Sequence, residues 1–433
     1  MLQPTNNSLF GINIVGYVRG EFGLGESSRA QIRSIKAAEI PHTICNIDCA
    51  AHGNEDNSFE QEFTTDNPYA INLLNFNAEA MPEFLDNIGE KYLKDKYNIG
   101  YWAWELPTFP AEWEWLFQYY DEIWVPSGYC AEALSLVAPI PIVKIMHSID
   151  LPAPSLSKSA TIIPDGEEGE TKFPQDKFTF LFMFDFHSTM ARKNPLGVIE
   201  SFQRAFQRDN QDVCLIVKCS NSQNYPHELA QVKQAIANYP SIQLIDARLP
   251  KEVVNALFYN CDCYVSLHRA EGFGLTMAEA MYYGKPVIAT GYSSNVEFMN
   301  TGNSFLVQYD LVKVQQDSGS YQKGNIWAKP SVEHTATLMH YVFHNPQSAK
   351  QIGLRASEQV RAMLSPETIG KKIRRRVEQI MSKVSVDSYK QQAIDCEANA
   401  WKQTAQDLQE ELRQANLEIA ELKAKIELTR TTT

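Results

Sequence analysis

The chain has 433 residues, 44% hydrophobic and 21% charged, with a net charge of −13 from 39 basic and 52 acidic residues. That length asks for two or three domains with cores of their own, and the composition is that of a soluble globular protein. The acidic balance excludes a general nucleic-acid footprint, and the longest apolar runs, such as "FTFLFMF", are too short to span a bilayer.

The opening "MLQPTNNSLFGINIVGYV" has no basic region before its apolar stretch, so it does not read as a signal peptide and a cytoplasmic location is expected. Within it "LFGINIVGYV" (9–18) predicts a buried strand. The turn "GYVRGEFGLGESSRA" follows, with Gly20, Gly23 and Gly25 ahead of a helix. Strands are then expected at "HTICNID", "AINLLNF", "YNIGYWAWE", "DEIWVP" and "PIVKIMHS", with helices near 112–119 and 127–137. Alternating strands and helices predict a parallel sheet covered on both faces. Residues 151–176 are rich in Pro, Ser, Gly and acids and read as a linker or exposed insertion. A second alternating series follows: "FTFLFMFDF", a helix from about 195, "DVCLIVKCS", "IQLID", "CDCYVSL" and "KPVIAT".

The fold class expected is therefore α/β, two Rossmann-like doubly wound domains facing a cleft. The first covers 1–150, and the second, with returning helices, 177–383. A tail (384–433) follows, in which Ile394, Ala398, Trp401, Ala405, Leu408, Leu412, Ala415, Ile419, Leu422 and Ile426 alternate at spacings of four and three. That pattern predicts a coiled-coil seam over 394–426 and a homo-oligomer, although a solvated helix packed on its own chain gives the same charges.

Eight cysteines in a chain this large read as core thiols, including Cys261 and Cys263 on one strand face. His340 and His344 have a one-turn spacing but lack the Glu of HExxH, so no metal is assigned.

The chemistry concentrates in "SLHRAEGFGLTMAEAMYYGKPVIAT" (266–290). A strand ends, a glycine turn follows and a helix starts near Thr276, with Gly284 as its stop. Gly272 and Gly274 permit tight backbone beside Phe273. The N–H groups of Gly274, Leu275 and Thr276 form a helix start that attracts phosphate. Thr276 and Glu279 also fit a capping box, which would explain Glu279 without a ligand. That leaves Glu271, and Arg269 beside it, unexplained. Carboxylates on both sides of a phosphate-seeking helix end suit a sugar nucleotide, with hydroxyls on either side of its phosphates. Arg192 and Lys193, in "FDFHSTMARKNPLG" after another strand of the same domain, supply cations for phosphate oxygens. Gly23 and Gly25 offer a backbone wall for the pyrophosphate. On the first domain Trp102, Trp104 and Glu105 could hold an acceptor sugar, or the two tryptophans could be core.

These residues resemble the GT-B glycosyltransferases, specifically family four (group 1), over about 9–383 and most strongly over 178–310. The Glu-x7-Glu of "EGFGLTMAE" carries the likeness, and "MHSID" (146–150) matches the segment that ends the family's first domain. The resemblance implies that Glu271 contacts the donor sugar and Glu279 the ribose. It implies too that Gly274, Leu275 and Thr276 hold the phosphates and that Arg192 and Lys193 neutralise them. The family places an arginine about five residues before the lysine, where this chain has His187 and Ser188. It implies a retaining enzyme of hexosyltransferase type, of the kind that builds polysaccharides, using a nucleoside-diphosphate sugar and no cofactor or metal. No Asp-x-Asp occurs in the chain. Other readings remain: a sugar-nucleotide epimerase or phosphorylase, an NAD-binding oxidoreductase, or a degenerate scaffold working through its coiled coil. The basic face of 365–383 fits peripheral membrane contact if the acceptor is a lipid, or packing back across the domains.

Overall fold

The computed structural model describes residues 9–153, 156–158, 162–165 and 169–383, with positions 402, 406 and 409 of the tail. The chain divides into two compact units, Met1–Arg374 and Arg375–Thr433, and the first holds both sheets. The seam expected over 394–426 lies outside the described residues. Lys402, Gln406 and Gln409 are helical and exposed, and none is a seam position.

The first sheet is built from β1 (Leu9–Gly16), β2 (His42–Asn46), β3 (Tyr69–Asn75), β4 (Tyr97–Tyr101), β5 (Glu122–Val125) and β6 (Ile142–Lys144), in the order β2-β1-β3-β4-β5-β6 and parallel throughout. Its apolar strand residues are buried on both faces, as helix-covered parallel strands require. Three buried asparagines link its centre: Asn13 donates to Asn72 at 3.0 Å, and Asn72 to Asn98 at 2.8 Å. Each would be costly alone; paired across β1, β3 and β4 they favour one register. The connecting helices include α1 (Gly23–Ala37), α2 (Met81–Asn87) and α3 (Gly128–Ser135), the last capped by Ser127. The helix expected near 112–119 is a 3₁₀ helix, Ala111–Tyr119. Within 151–176 an antiparallel pair, β7 (Ile162–Asp165) and β8 (Gly169–Lys172), stands where only a linker or insertion is expected.

The second sheet contains β9 (Phe178–Asp185), β10 (Val213–Ser220), β11 (Ile242–Asp246), β12 (Cys263–Ser266), β13 (Val287–Thr290) and β14 (Phe305–Val307). Their order is β11-β10-β9-β12-β13-β14, again parallel. The chain therefore reverses its winding between β9 and β12, and loops leaving those two strands meet at their carboxyl ends. The helices between are α4 (Met190–Lys193), α5 (Pro195–Ala205), α6 (Pro226–Ile236), α7 (Lys251–Asn260) and α8 (Leu275–Tyr282). Gly284, at φ +74°, follows α8 in the left-handed region, as a helix stop requires.

After β14 comes an element with no counterpart in the sequence reading: a hairpin of β15 (Tyr309–Lys313) and β16 (Ile326–Pro330). Its strand β15 is mostly exposed, so no clear two-residue alternation marks it. Helices α9 (Val332–His344) and α10 (Pro346–Met363) cover the second domain, and a helix over 366–383 follows. Its first half returns to the first domain, where Arg374 donates to the Ala38 carbonyl at 2.6 Å. Cys261 and Cys263 are free and buried.

Gly25 shows how tightly the first glycine turn is packed: a Cβ there would stand 1.9 Å from the Gly20 carbonyl oxygen, whereas Gly23 has open space. Gly25→Ala is therefore expected to destabilise the protein by about 2 kcal/mol or more in urea unfolding, and Gly23→Ala to stay within about 0.5 kcal/mol.

Candidate functional site

Two loops of the second domain form the site, one after β9 and one after β12. They are knitted by backbone: Arg269 N–H donates to the Arg192 carbonyl at 2.8 Å, and Asn194 Nδ2 to the Leu267 carbonyl at 3.0 Å. Asn194 sits at φ 57°, a left-handed position that asparagine tolerates better than most residues, and Pro195 then starts α5 with the fixed φ that suits a first turn. This turn aims Arg192 and Lys193 back toward the β12 loop.

There the two cations meet Glu271. Lys193 Nζ lies 2.5 Å from Glu271 Oε1, and an Arg192 guanidinium nitrogen 3.3 Å from Oε2. Arg192 also donates to the Ala270 carbonyl at 3.0 Å and faces Glu105 of the first domain at 3.7 Å. All four side chains are at most one-fifth exposed. Burial opposes the charge of Glu271, but Lys193, Arg192 and then His268 outweigh it and hold its carboxyl down at about 2. Burial pulls the Lys193 ammonium below its ordinary value, with Glu271 opposing. For Arg192 burial is more than offset by Tyr321, Glu105 and Glu271, which raise it. Two cations and two carboxylates make the cluster neutral overall, which lowers the cost of burying it.

Beside this cluster, α8 begins at Leu275 with Gly274 as its N-cap at φ +99°. The first-turn N–H groups at Gly274, Leu275 and Thr276 have no carbonyl one turn back to bond to. The capping-box alternative fails here. Thr276 lies inside the helix rather than at its cap, and Glu279 instead accepts from Lys251 Nζ at 3.0 Å. Lys251 also lies 3.9 Å from Glu26 of α1, so one ammonium faces carboxylates of both domains. Burial works against that ammonium, and Glu279 and Glu26 outweigh it and raise it. Glu26 is held well below the ordinary carboxylate range: Lys251, Arg33 and Arg29 outweigh its burial.

Several expected site residues are engaged in contacts within the protein. Trp102 is 1% exposed, packed among Phe109, Phe117 and Tyr120, and has no free face for an acceptor sugar. Trp104, 4% exposed, donates to the Thr108 carbonyl and is core as well. Glu105 alone of that trio reaches the cluster. The Phe273 ring packs edge-on against His147 and beside Phe298. Gly272 is close-packed against the first domain rather than opened for a ligand: its carbonyl accepts from Ser127 at 3.0 Å, and a Cβ would meet Ala103 at 3.2 Å. Gly25 packs on Gly20, which leaves Gly23 as the turn glycine with open space. Arg269 braces the loop by donating to the Ala191 carbonyl and stands over Trp327. Ser188 is half-buried at the end of a 3₁₀ turn, and His187 turns to Tyr225 and His52. Of His187, Ser188 and Arg192, it is Arg192 that lies against Glu271.

Sequence reasoning missed Tyr321, whose phenol donates to Glu105 Oε2 at 2.9 Å while its ring lies 5.5 Å from the Arg192 guanidinium carbon. It also missed Lys251. The first residue of α7 carries that ammonium, which in sequence is one more basic residue at a helix start. A hollow of about 520 Å³ beside Trp115 and Ile140 lies at the amino ends of β5 and β6 and takes no part in this cluster. Among the described residues no group of three or more His, Cys, Asp or Glu is placed to hold a metal ion, and none of the helices is long and apolar enough to cross a membrane.

A carboxyl depressed to about 2 contributes stability that is complete above its ordinary value of 4.5 and disappears as pH falls through the depressed one. Wild-type protein is therefore expected to lose about 3 kcal/mol between pH 5 and pH 2 through this group, a component that acid-unfolding curves of Glu271→Gln should lack.

Residues 177–315 match the family model for Glycosyl transferases group 1. No curated protein matches the chain. Among solved structures, Anabaena Alr3699/HepE in complex with UDP and glucose aligns over 86% of this chain and 100% of its own, at 14% identity and a TM-score of 0.59. A glycosyltransferase from Rickettsia africae ESF-5 aligns over 87% and 99%, at 16% identity and 0.58. The apo form of the lipopolysaccharide outer core galactosyltransferase WaaB aligns over 86% and 99%, at 13% identity and 0.52. Likeness at such identities speaks for the fold, two facing α/β domains of the GT-B type. The match to the group 1 glycosyl transferases over 177–315 spans both loops of the charge cluster.

Proposed function

We propose that the protein is a retaining, metal-independent glycosyltransferase that moves a hexose from a nucleoside-diphosphate sugar to a hydroxyl acceptor. One observation carries this reading: Glu271, Lys193 and Arg192 form a buried cluster at the winding reversal of the second sheet, beside the half-buried first turn of α8. Hydroxyl-binding carboxylate and phosphate-binding cations thus stand side by side, as a sugar diphosphate needs. The Anabaena neighbour holds UDP and glucose, which makes UDP the first nucleotide to try.

In this reading the donor exchanges partners with the cluster. Its diphosphate takes Lys193 and the N–H groups of Gly274, Leu275 and Thr276, and Glu271 turns to the sugar hydroxyls. Glu279 exchanges Lys251 for the ribose. As the bond between the anomeric carbon and the diphosphate oxygen breaks, the electron pair leaves with the nucleoside diphosphate, and Arg192 and Lys193 stabilise the growing charge. The acceptor oxygen attacks the same face, and its proton passes to the departing phosphate. Glu105 is the first-domain group proposed to meet the acceptor. The acceptor is a glycan or a lipid, the enzyme works in the cytoplasm or at its membrane surface, and the 394–426 seam joins copies of the chain.

The test is thermal unfolding with UDP, UDP-glucose and the other common nucleoside diphosphates, in chelator. A ligand at 100 times its Kd stabilises by about 2.7 kcal/mol. Lys193→Ala and Glu279→Ala are each expected to weaken binding about tenfold, or about 1.4 kcal/mol. No stabilisation by any nucleotide would sink the reading in favour of a scaffold, and dependence on added metal would remove its metal-free part.

A further inference from the structure

The family match ends at residue 315, before the loop and second strand of the β15–β16 hairpin. Yet this hairpin touches the first domain, the basic loop and the loop after β12. Val314, Tyr321 and Trp327 are buried in the aromatic core of the first domain. Gln322 donates to Glu112 at 3.1 Å. On the other side Ala328 N–H donates to the Arg269 carbonyl at 2.9 Å, and Arg269 lies over Trp327. A Cβ at Gly319, near the hairpin tip, would lie 3.9 Å from the Thr189 hydroxyl in the basic loop. A hairpin that served only to fill space would not need a polar group at its centre. Tyr321 has one, and it is spent on Glu105.

We propose that this hairpin belongs to the reaction centre and that Tyr321 is its positioning residue, its phenol holding Glu105 and its ring covering Arg192 so that Arg192 stays directed at Glu271 and the donor. The inference rests on the glycosyl-transfer reading above. The geometry gives its mechanism. Glu105 divides its oxygens, Oε2 to the Tyr321 hydroxyl at 2.9 Å and Oε1 toward Arg192 at 3.7 Å. Without the hydroxyl, Glu105 is free to close on Arg192 and draw its charge away from the leaving diphosphate. Without the ring, the guanidinium also loses the aromatic face it stands on. Tyr321→Phe therefore separates the hydrogen bond from the packing, since phenylalanine fills the same apolar space.

The experiment uses the full chain, with UDP and UDP-glucose as probes, or GDP and GDP-mannose where the nucleotide screen selects guanine. Nucleotide release is followed at several donor concentrations. Tyr321→Phe is expected to lower kcat about tenfold with KM within about twofold and an unchanged melting temperature, since it removes an interaction used in the transition state. In a Glu105→Gln background Tyr321→Phe should lower kcat by no more than about twofold, because no carboxylate is left to draw on Arg192. Tyr321→Leu should in addition weaken nucleotide binding about tenfold by calorimetry as Arg192 loses its support. Wild-type kcat in Tyr321→Phe, a raised KM alone, an undiminished loss in the Glu105→Gln background, or unchanged nucleotide affinity in Tyr321→Leu each overturn the proposal. Wild-type protein that binds no nucleotide overturns the transfer reading first, and this inference with it.

Discussion

Glu271 is a carboxylate buried in a loop at the end of a central strand, and much of the second domain is arranged so that it can stay charged. An ion there without partners would be neutralised or would unfold its surroundings. Lys193 and Arg192 prevent both, but only because Asn194 takes a left-handed turn and Pro195 starts the next helix at that point. The backbone bond from Arg269 to Arg192 then fixes the spacing of the two loops. Charge, turn and loop register are one requirement met three ways.

The two domains meet through the same kind of interaction. Glu105 and Tyr321 close one side of the cluster, while Lys251 stands between Glu26 and Glu279 on another. Ser127 binds the Gly272 carbonyl, and Lys144 pairs with Glu297 at 2.8 Å. Beside these polar contacts lies an apolar one, in which Val314, Tyr321 and Trp327 are buried against the core of the first domain. Glu271, Glu279 and Glu26 are each already held by a cation of the protein. A ligand bearing both hydroxyls and phosphates can satisfy both halves of such pairs at once, and one bearing only phosphates would leave the carboxylates exposed to like charge.

The alternation of strands and helices, the glycine turns and the Glu-x7-Glu were legible because each is local. A buried parallel strand is a short apolar run, a helix stop is a glycine, and a phosphate-seeking helix start needs only its own first turn. The tryptophans of "YWAWE" were harder to read. Residues two apart share a face, but spacing does not say whether that face meets a cleft or the core, and here Phe109, Phe117 and Tyr120 fill the space in front of Trp102. The capping box met the same limit: Thr276 and Glu279 have the right interval, yet Gly274 caps the helix and leaves Glu279 to Lys251.

The sequence by itself determined the two α/β domains, the loops that carry Glu271, Arg192 and Lys193, and the helix start beside them, because each is specified by neighbours within a few residues. Tertiary structure alone decided which charges pair. Tyr321 and Glu105 are 216 residues apart, and the hairpin that joins them leaves no two-residue alternation on its exposed first strand. Contacts of that separation depend on how one domain is laid against the other, and no local pattern of residues records it.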